Sequence, residues 1–281
     1  MRESTVHAPP PSLADVVEAI WQIDVTDADE ARSLALKVLP TASSIMAVHF
    51  RAPIISDRRN YVHRAYRTVV TGVQRDTVNI RPSGPTGTVV VRFRPGAAAR
   101  VFGPEMQAYS DANVSLGDVV GDSARDRLET QLREAGDALA RVDVIERFLT
   151  PRVQHNSDPL VREAIACLQR NPGQPIGRLA RSLAISERQL ERRFLGQAGA
   201  TPKQFVRMLR VELAIAARHR GESWVDIASL CGFNDQAHLI RDFKALSGMT
   251  PEAFMRRAFG SELRGYNAEL AMSGFYNTAI V

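Results

Sequence analysis

Residues 227–254 read IASLCGFNDQAHLIRDFKALSGMTPEAF, and residues 179–205 read LARSLAISERQLERRFLGQAGATPKQF. Aligned on Phe194 and Phe243, the two stretches are copies of one unit. Leu190 falls on Leu239, Gly199 on Gly248, Thr201-Pro202 on Thr250-Pro251, and Phe205 on Phe254. Upstream, Leu179-Ala180 matches Ile227-Ala228, and the second copy carries one extra residue in its turn. An internal repeat of this kind governs the reading of everything around it.

The spacing within each copy predicts two short helices joined by a tight turn, a helix-turn-helix. Leu179, Ala180 and Leu183 share one face of the first helix. Ser186 is placed to cap the second, in which Leu190 and Phe194 lie four apart and point inward. In the second copy Gly232 supplies the left-handed residue that ends a helix, Asp235 is the matching cap, and Leu239 and Phe243 point inward. Between the copies, Thr201-Pro202 starts a helix with a cap and a proline at its first position. It runs to about Arg220 through Phe205, Leu209, Leu213 and Ala216-Ala217. Its roughly 18 residues span about 27 Å at 1.5 Å per residue. Successive major grooves on one side of a duplex lie about 34 Å apart, so the rod suits holding two reading helices in neighbouring grooves.

The tandem pattern resembles the DNA-binding domain of the AraC/XylS family of bacterial transcription regulators. The residues that carry the resemblance are Ile227-Ala228, Gly232-Phe233, Phe243-Lys244, and Gly248-Met249-Thr250-Pro251 before Phe254. It covers roughly the last 120 residues. It implies base-facing positions at Arg188, Glu191 and Arg192 in the first reading helix. Arginine there can bond guanine O6 and N7 with two parallel contacts, while Glu191 either accepts from cytosine or orients Arg188 or Arg192. The same geometry exposes Gln236, Ala237, His238, Ile240 and Arg241 in the second. Gln236 suits adenine, Arg241 guanine, Ala237 or Ile240 a thymine methyl, and His238 a base or phosphate. Arg178, Lys203, Arg207 and Arg210 are candidates for phosphate contacts, which position without specifying.

Charge follows the repeats. The chain carries +5 overall; residues 158–260 hold +6, residues 1–157 balance to zero, and the last 21 residues hold −1. The cations on the repeat region are nearly all arginine, which suits forked contacts to phosphate and guanine. At 281 residues, with 44% hydrophobic and 24% charged residues, the chain is long enough for two cores. No apolar run approaches the roughly 18 residues of a membrane span, and MRESTVHAPPPSL has no apolar signal core. Cys167 and Cys231, far apart on predicted helices, read as buried reduced thiols of a cytosolic, nucleoid-associated protein.

The first half has a different texture. Residues 1–12, with Pro9-Pro10-Pro11, read as a disordered arm. Residues 13–23 fit a helix or a strand equally. ASSIMAVHF, YRTVVTGV, DTVNIR and TGTVVVRF each read as a strand, separated by Pro53, Arg58-Arg59-Asn60, Arg75-Asp76 and SGPTG. Strands at this spacing predict a small barrel or sandwich. From Asp118, Leu128, Leu132, Leu139, Val142, Ile145, Phe148 and Leu149 recur at three and four, a helical hairpin with a break at Gly136-Asp137. This hairpin either packs on the sheet or forms a homodimer contact, as the resemblance implies. Arg67, Arg81, Arg92 and Arg94 either lie on the solvated face or face an anionic or apolar small molecule.

The fold class is therefore α+β. Residues 1–150 form a small cupin-like β-barrel domain with a helical hairpin, for sensing or dimerisation. Residues 151–158 are a linker, 159–260 an all-α domain with two helix-turn-helix units joined by a long helix, and 261–281 a tail. The expected partners are double-stranded DNA, a small-molecule effector, a second copy of the chain, and RNA polymerase if the protein activates; no membrane and no cofactor is expected. Two other readings compete with a sequence-specific regulator. A cupin-like metal-dependent enzyme needs clustered histidines, and His7, His49, His63 and His155 include no His-x-His. A non-sensing DNA-binding dimer needs nothing that the sequence lacks.

Overall fold

The strand TGTVVVRF (86–93) is buried at every position, and the first half of the protein is built around it. The computed structural model describes residues 2–34, 36–58, 61–62, 66–154, 157–259 and 277–279. In chain order the elements of this half are β1 (Arg2–His7), β2 (Val17–Val25), α1 (Ala28–Ser33), β3 (Leu36–Val38), β4 (Ile45–His49), β5 (Ile54–Arg58) and β6 (Tyr61–Val62). Then follow β7 (Thr68–Thr71), β8 (Val78–Pro82), β9 (Thr86–Phe93), α2 (Ala99–Phe102), β10 (Asn113–Ser115), α3 (Leu116–Val120), α4 (Asp122–Glu134) and α5 (Ala138–Leu149). One antiparallel sheet runs β1-β2-β9-β4-β7-β10; the other runs β3-β8-β5-β6, with β11 (Asn277–Ala279) on the outer edge of β3.

Alternation explains why β9 is buried on both faces. Val89, Val91 and Phe93 join Leu128, Leu132, Ile145 and Leu149 in a core beneath the hairpin α4–α5. Val90 faces the other way and packs with Trp21, Ile23 and Ala47 towards the second sheet.

Several expectations are met and several are corrected. The four strands read from sequence appear as β4, β7, β8 and β9, and the hairpin breaks at Gly136-Asp137, where Asp137 caps α5 through Ala140 N–H (2.8 Å). The arm is not disordered: Arg2–His7 pairs along all six residues with β2, and Trp21 Nε1 donates to Ser4 Oγ at 3.0 Å. Thr5 and Val6 favour extension, and an edge strand needs a partner on one side only. The undecided stretch 13–23 is mostly strand. Ile54–Arg58, of which only Arg58 is assigned from sequence, and that to a separator, is a strand that pairs β8. Leu139, counted with the apolar face of the hairpin, points outward and is 68% exposed. The tail after Gly260, apart from 277–279, and His63 and His155 lie outside the described residues.

The second half is helical: α6 (Pro159–Arg170), α7 (Ile176–Ser182), α8 (Glu187–Ala198), α9 (Pro202–His219), α10 (Trp224–Leu230), α11 (Gln236–Ser247) and α12 (Pro251–Phe259). Asp158 caps α6 through Leu160 N–H (2.9 Å). Ser186 with Gln189 and Thr201 with Gln204 form reciprocal capping boxes at α8 and α9.

The two halves are in contact. Leu39 packs with Val211, Ile215, Phe243 and Phe254. Ser110 Oγ donates to Gly199 O at 2.6 Å. Glu212, in the middle of α9, accepts from Ala42 N–H at 3.0 Å and pairs with Arg92 at 2.9 Å.

Candidate nucleic-acid interface

The repeat seen in sequence is a repeat in space. Leu190 and Phe194 of α8, and Leu239 and Phe243 of α11, are all at 0% exposure. Phe194 meets Phe205 edge-to-face at 5.3 Å between ring centres, and Phe243 meets Phe254 the same way at 5.4 Å. Gly199 and Gly248 end the two helices at φ 77° and 78°. The turns match as well. Leu183 and Cys231 end α7 and α10 with near-identical angles. The next residue is left-handed in both, Ala184 at φ 55° and Gly232 at φ 74°. Ile185 and Phe233 then donate back to the carbonyls of Ala180 and Ala228.

With the apolar residues fixed inward, the polar faces are fixed outward. Arg188, Glu191 and Arg192 of α8 are exposed, as are Gln236, Ala237, Ile240 and Arg241 of α11. Among the described residues, Glu191 forms no ion pair with Arg188 or Arg192. Arg178 on α7 and Lys203 at the start of α9 are exposed too. The N-termini of α8 and α11 add partial positive charge beside these residues. Arg181, Arg256 and Arg257, not singled out from the sequence, and Lys244, quoted there only for the family pattern, are further exposed cations on the same helical half.

Three of the expected contact residues are engaged within the protein. His238 is the clearest. Its Nδ1 accepts from Asn234 N–H at 3.3 Å, and its Nε2 stands 3.4 Å from Asp242 Oδ2. The ring rests edge-on against Phe233, 5.4 Å between centres. Asn234 is the one extra residue of the second turn, and His238 takes up the N–H that it adds; the insertion was the signal. Arg210 turns inward and donates through Nε and Nη2 to Pro172 O at 3.0 and 2.7 Å. It ties the turn before α7 to α9. Arg207 donates to Asp242 Oδ1 at 3.1 Å with its side chain 43% exposed, so it fastens α11 to α9 while keeping a wet face.

These ties bring both units to one shallow cleft of about 310 Å³, lined by Gln174 and Pro175 before α7, Ile176 at its start, Lys203 and Arg207 of α9, and His238 and Asp242 of α11. Lys203 and Arg207 of α9 give the cleft its cationic lining beside α11.

A second concave feature lies between the two sheets, a cavity of about 160 Å³ with Val211, Glu212 and Ile215 of α9 in its wall. Of the four arginines read on strands, Arg92 alone lines it; Arg67 and Arg94 fall just outside β7 and β9, and Arg67, Arg81 and Arg94 are exposed. Burial pulls the Arg92 guanidinium down, but Glu212 and Glu18 outweigh it and hold its pKa above the ordinary value. His49, also in the lining, is buried beside the Arg67 charge; burial chiefly, then that charge, lowers its pKa to about 4. Among the described residues no cluster of three His, Cys, Asp or Glu side chains is set to hold a metal ion. Cys167 and Cys231 are free thiols; Cys231 is buried as expected, but Cys167 is only half-buried, its Sγ donating to Glu163 Oε1 at 3.2 Å. Among the described residues no helix is long and apolar enough to cross a membrane.

The sequence matches a helix-turn-helix domain family over residues 179–257 and a domain of unknown function over residues 5–115. It is similar to an AraC-like transcription regulator of Streptomyces lividans, 32% identical over 98 residues. That match takes in 34% of this chain and 32% of the relative, so the chain spans about a third of that relative's length. The transcription factor PqrA of Proteus vulgaris is 36% identical over 88 residues, 31% of this chain and 72% of PqrA. Among solved structures, ToxT from Vibrio cholerae O395 aligns over 90% of this chain and 96% of its own at 13% identity, with a TM-score of 0.45. With the tandem helix-turn-helix on α9 and the match that spans most of PqrA, the chain belongs to the AraC/XylS family of transcription regulators.

Proposed function

We propose that this protein is a sequence-specific DNA-binding regulator that places α8 and α11 in successive major grooves. Its activity is set by a small molecule held between the sheets of the first half. One observation carries the DNA reading. At matched positions of two repeats, the leucine and phenylalanine are fully buried, while Arg192 and Arg241 stand exposed on helices clamped to one 18-residue rod. Arg188, Glu191 and Arg192 read one groove; Gln236, Ala237, Ile240 and Arg241 read the next. Arg178, Lys203 and the wet face of Arg207 hold phosphate. His238 and Arg210 act as supports that keep the second unit in place. The work is recognition rather than catalysis, carried out on the nucleoid.

Footprinting and gel shifts on the DNA upstream of the protein's own coding region test this. Arg192→Ala and Arg241→Ala each cost about 1–3 kcal/mol on the bound site and relax base preference there. Both variants binding as tightly and as selectively as the parent would overturn the assignment.

The effector reading rests on α9, which is at once the rod between the reading units and a wall of the cavity. A ligand that fits better in one arrangement of α9 shifts the population towards that arrangement. For self-association, the outward Leu139 on α5 marks the hairpin as the pairing face. Leu139→Glu then lowers the mass measured by light scattering from dimer to monomer.

A further inference from the structure

The cavity between the sheets follows β9, whose alternate residues Thr86, Thr88, Val90 and Arg92 all line it. The six steps of strand from Thr86 to Arg92, at about 3.3 Å each, make it roughly 20 Å from end to end. Its waist is apolar, formed by Trp21, Ile23, Ala47, Val69, Ile80 and Val90.

The two ends are polar but carry no spare charge among the described residues. At one end, His49 Nδ1 is bonded to Thr88 Oγ1 at 2.8 Å, and its lowered pKa leaves the ring neutral near pH 7. At the other, Arg92 lies between Glu18 (2.8 Å) and Glu212 (2.9 Å), two carboxylates for one guanidinium. An entering anion meets a cation whose partners are already in place. To reach it, the anion must expel Glu212, which also holds Ala42 N–H. An entering cation finds Glu212 spoken for in the same way.

What the ends do offer is hydroxyl. Ser43 Oγ and Thr86 Oγ1 belong to residues only 1% exposed, line the cavity, and have no hydrogen-bond partner among the described residues. Thr86 begins β9, and Ser43 lies beside the far end, where Phe93 N–H donates to Ser44 O. A buried hydroxyl without a partner is unfavourable unless something that enters bonds to it.

We infer that the cavity binds an uncharged, elongated, mainly apolar molecule that hydrogen-bonds through a neutral group at each end, to Thr86 and to Ser43. This rests on the reading of the first half as the effector-binding part, and it names the class of effector.

The test uses the full chain with Trp224→Phe, so that Trp21 in the cavity wall is its one remaining tryptophan. Decanediol with a hydroxyl at each end, decanoate and decylammonium are titrated against Trp21 emission. The diol is expected to saturate with a Kd at least tenfold below those of both ions. Ser43→Ala with Thr86→Val is expected to weaken diol binding about tenfold and to leave a purely apolar probe, decane, unaffected. Decanoate binding as tightly as the diol would overturn the inference and assign the cavity to anions that displace Glu212. Absence of a saturable response to all the probes would also overturn it. The same protein is footprinted on DNA alongside. Specific footprints without diol binding sink only the ligand class, whereas diol binding without a specific footprint sinks the regulator reading instead.

Discussion

Arg92 Nη2 lies 2.9 Å from a carboxylate oxygen of Glu212, 120 residues away in the sequence, and so joins the face of the six-stranded sheet to the middle of α9. Both side chains are withdrawn from water, Arg92 to 4% exposure and Glu212 to 15%. Removing one member of such a pair strands the other. Glu212→Ala takes one of Arg92's two carboxylate partners and leaves Ala42 N–H without its acceptor, and is expected to lower stability by about 3 kcal/mol. Glu212→Gln keeps an acceptor for Ala42 and is expected to cost less. Urea denaturation of the full chain measures both.

Arg178 and Arg210 are both arginines of the basic half, and they are expected to fail differently. Arg178 is exposed. Arg178→Ala should weaken binding to all DNA sequences alike and reduce the slope of log K against log salt by about one. Arg210 is committed to the carbonyl of Pro172. Arg210→Ala should leave the salt slope unchanged and lower thermal stability, by about 1–2 kcal/mol for the loss of charged hydrogen bonds. An altered salt slope in Arg210→Ala would show that the inward geometry is not the one that meets DNA.

His49 gives the fold an acid-sensitive point. Unfolded, its ring titrates near 6.5; folded, burial and Arg67 lower that to about 4. Between those values the unfolded chain binds more protons than the folded one, so the neutral ring's contribution is fully present above pH 6.5. It is lost as the pH falls from there towards 4, by up to about 3 kcal/mol. His49→Gln should be flatter than the parent between pH 6.5 and 5 in a series of melting temperatures. Equal slopes would contradict a buried neutral ring.

The two turns can be exchanged in thought. Ala184 holds φ 55° in the first unit, where Gly232 holds φ 74° in the second. An L-residue with a Cβ is strained there by about 1 kcal/mol. Ala184→Gly is therefore expected to raise stability by up to that amount, less the added freedom of the unfolded glycine. Gly232→Ala should lower it by about 2 kcal/mol or more, because the new Cβ would stand 2.5 Å from the backbone nitrogen of Gly173 as well. Thermal denaturation of the pair decides it.

What could be read in advance followed from local periodicity. Phe194 and Phe243 declared their inward faces through spacing alone, and Ser186, Thr201 and Asp235 declared their caps, because each signal spans four residues or fewer. Strands β4, β7, β8 and β9 were legible for the same reason. Arg210 was not, since its partner is a carbonyl 38 residues earlier, brought near only by the packing of the turn before α7 on α9. Arg92 stood in the sequence as one of four strand arginines. Its difference from Arg67, Arg81 and Arg94 comes from the second sheet and α9 closing over one face. The edge strand Arg2–His7 was hidden by the prolines that follow it. They end the strand rather than exclude it, since proline bars only pairing at its own position.

The placement of Glu212 sets a second clock on α9. Each residue of an α-helix advances the azimuth by about 100°. A single insertion between Thr201 and Glu212 would leave the helix only ~1.5 Å longer, yet would swing the carboxylate away from Arg92. Lineages of this protein should therefore tolerate changes in the composition of that segment far more readily than changes in its residue count. Where its length does vary, it should do so by whole turns or together with loss of the arginine.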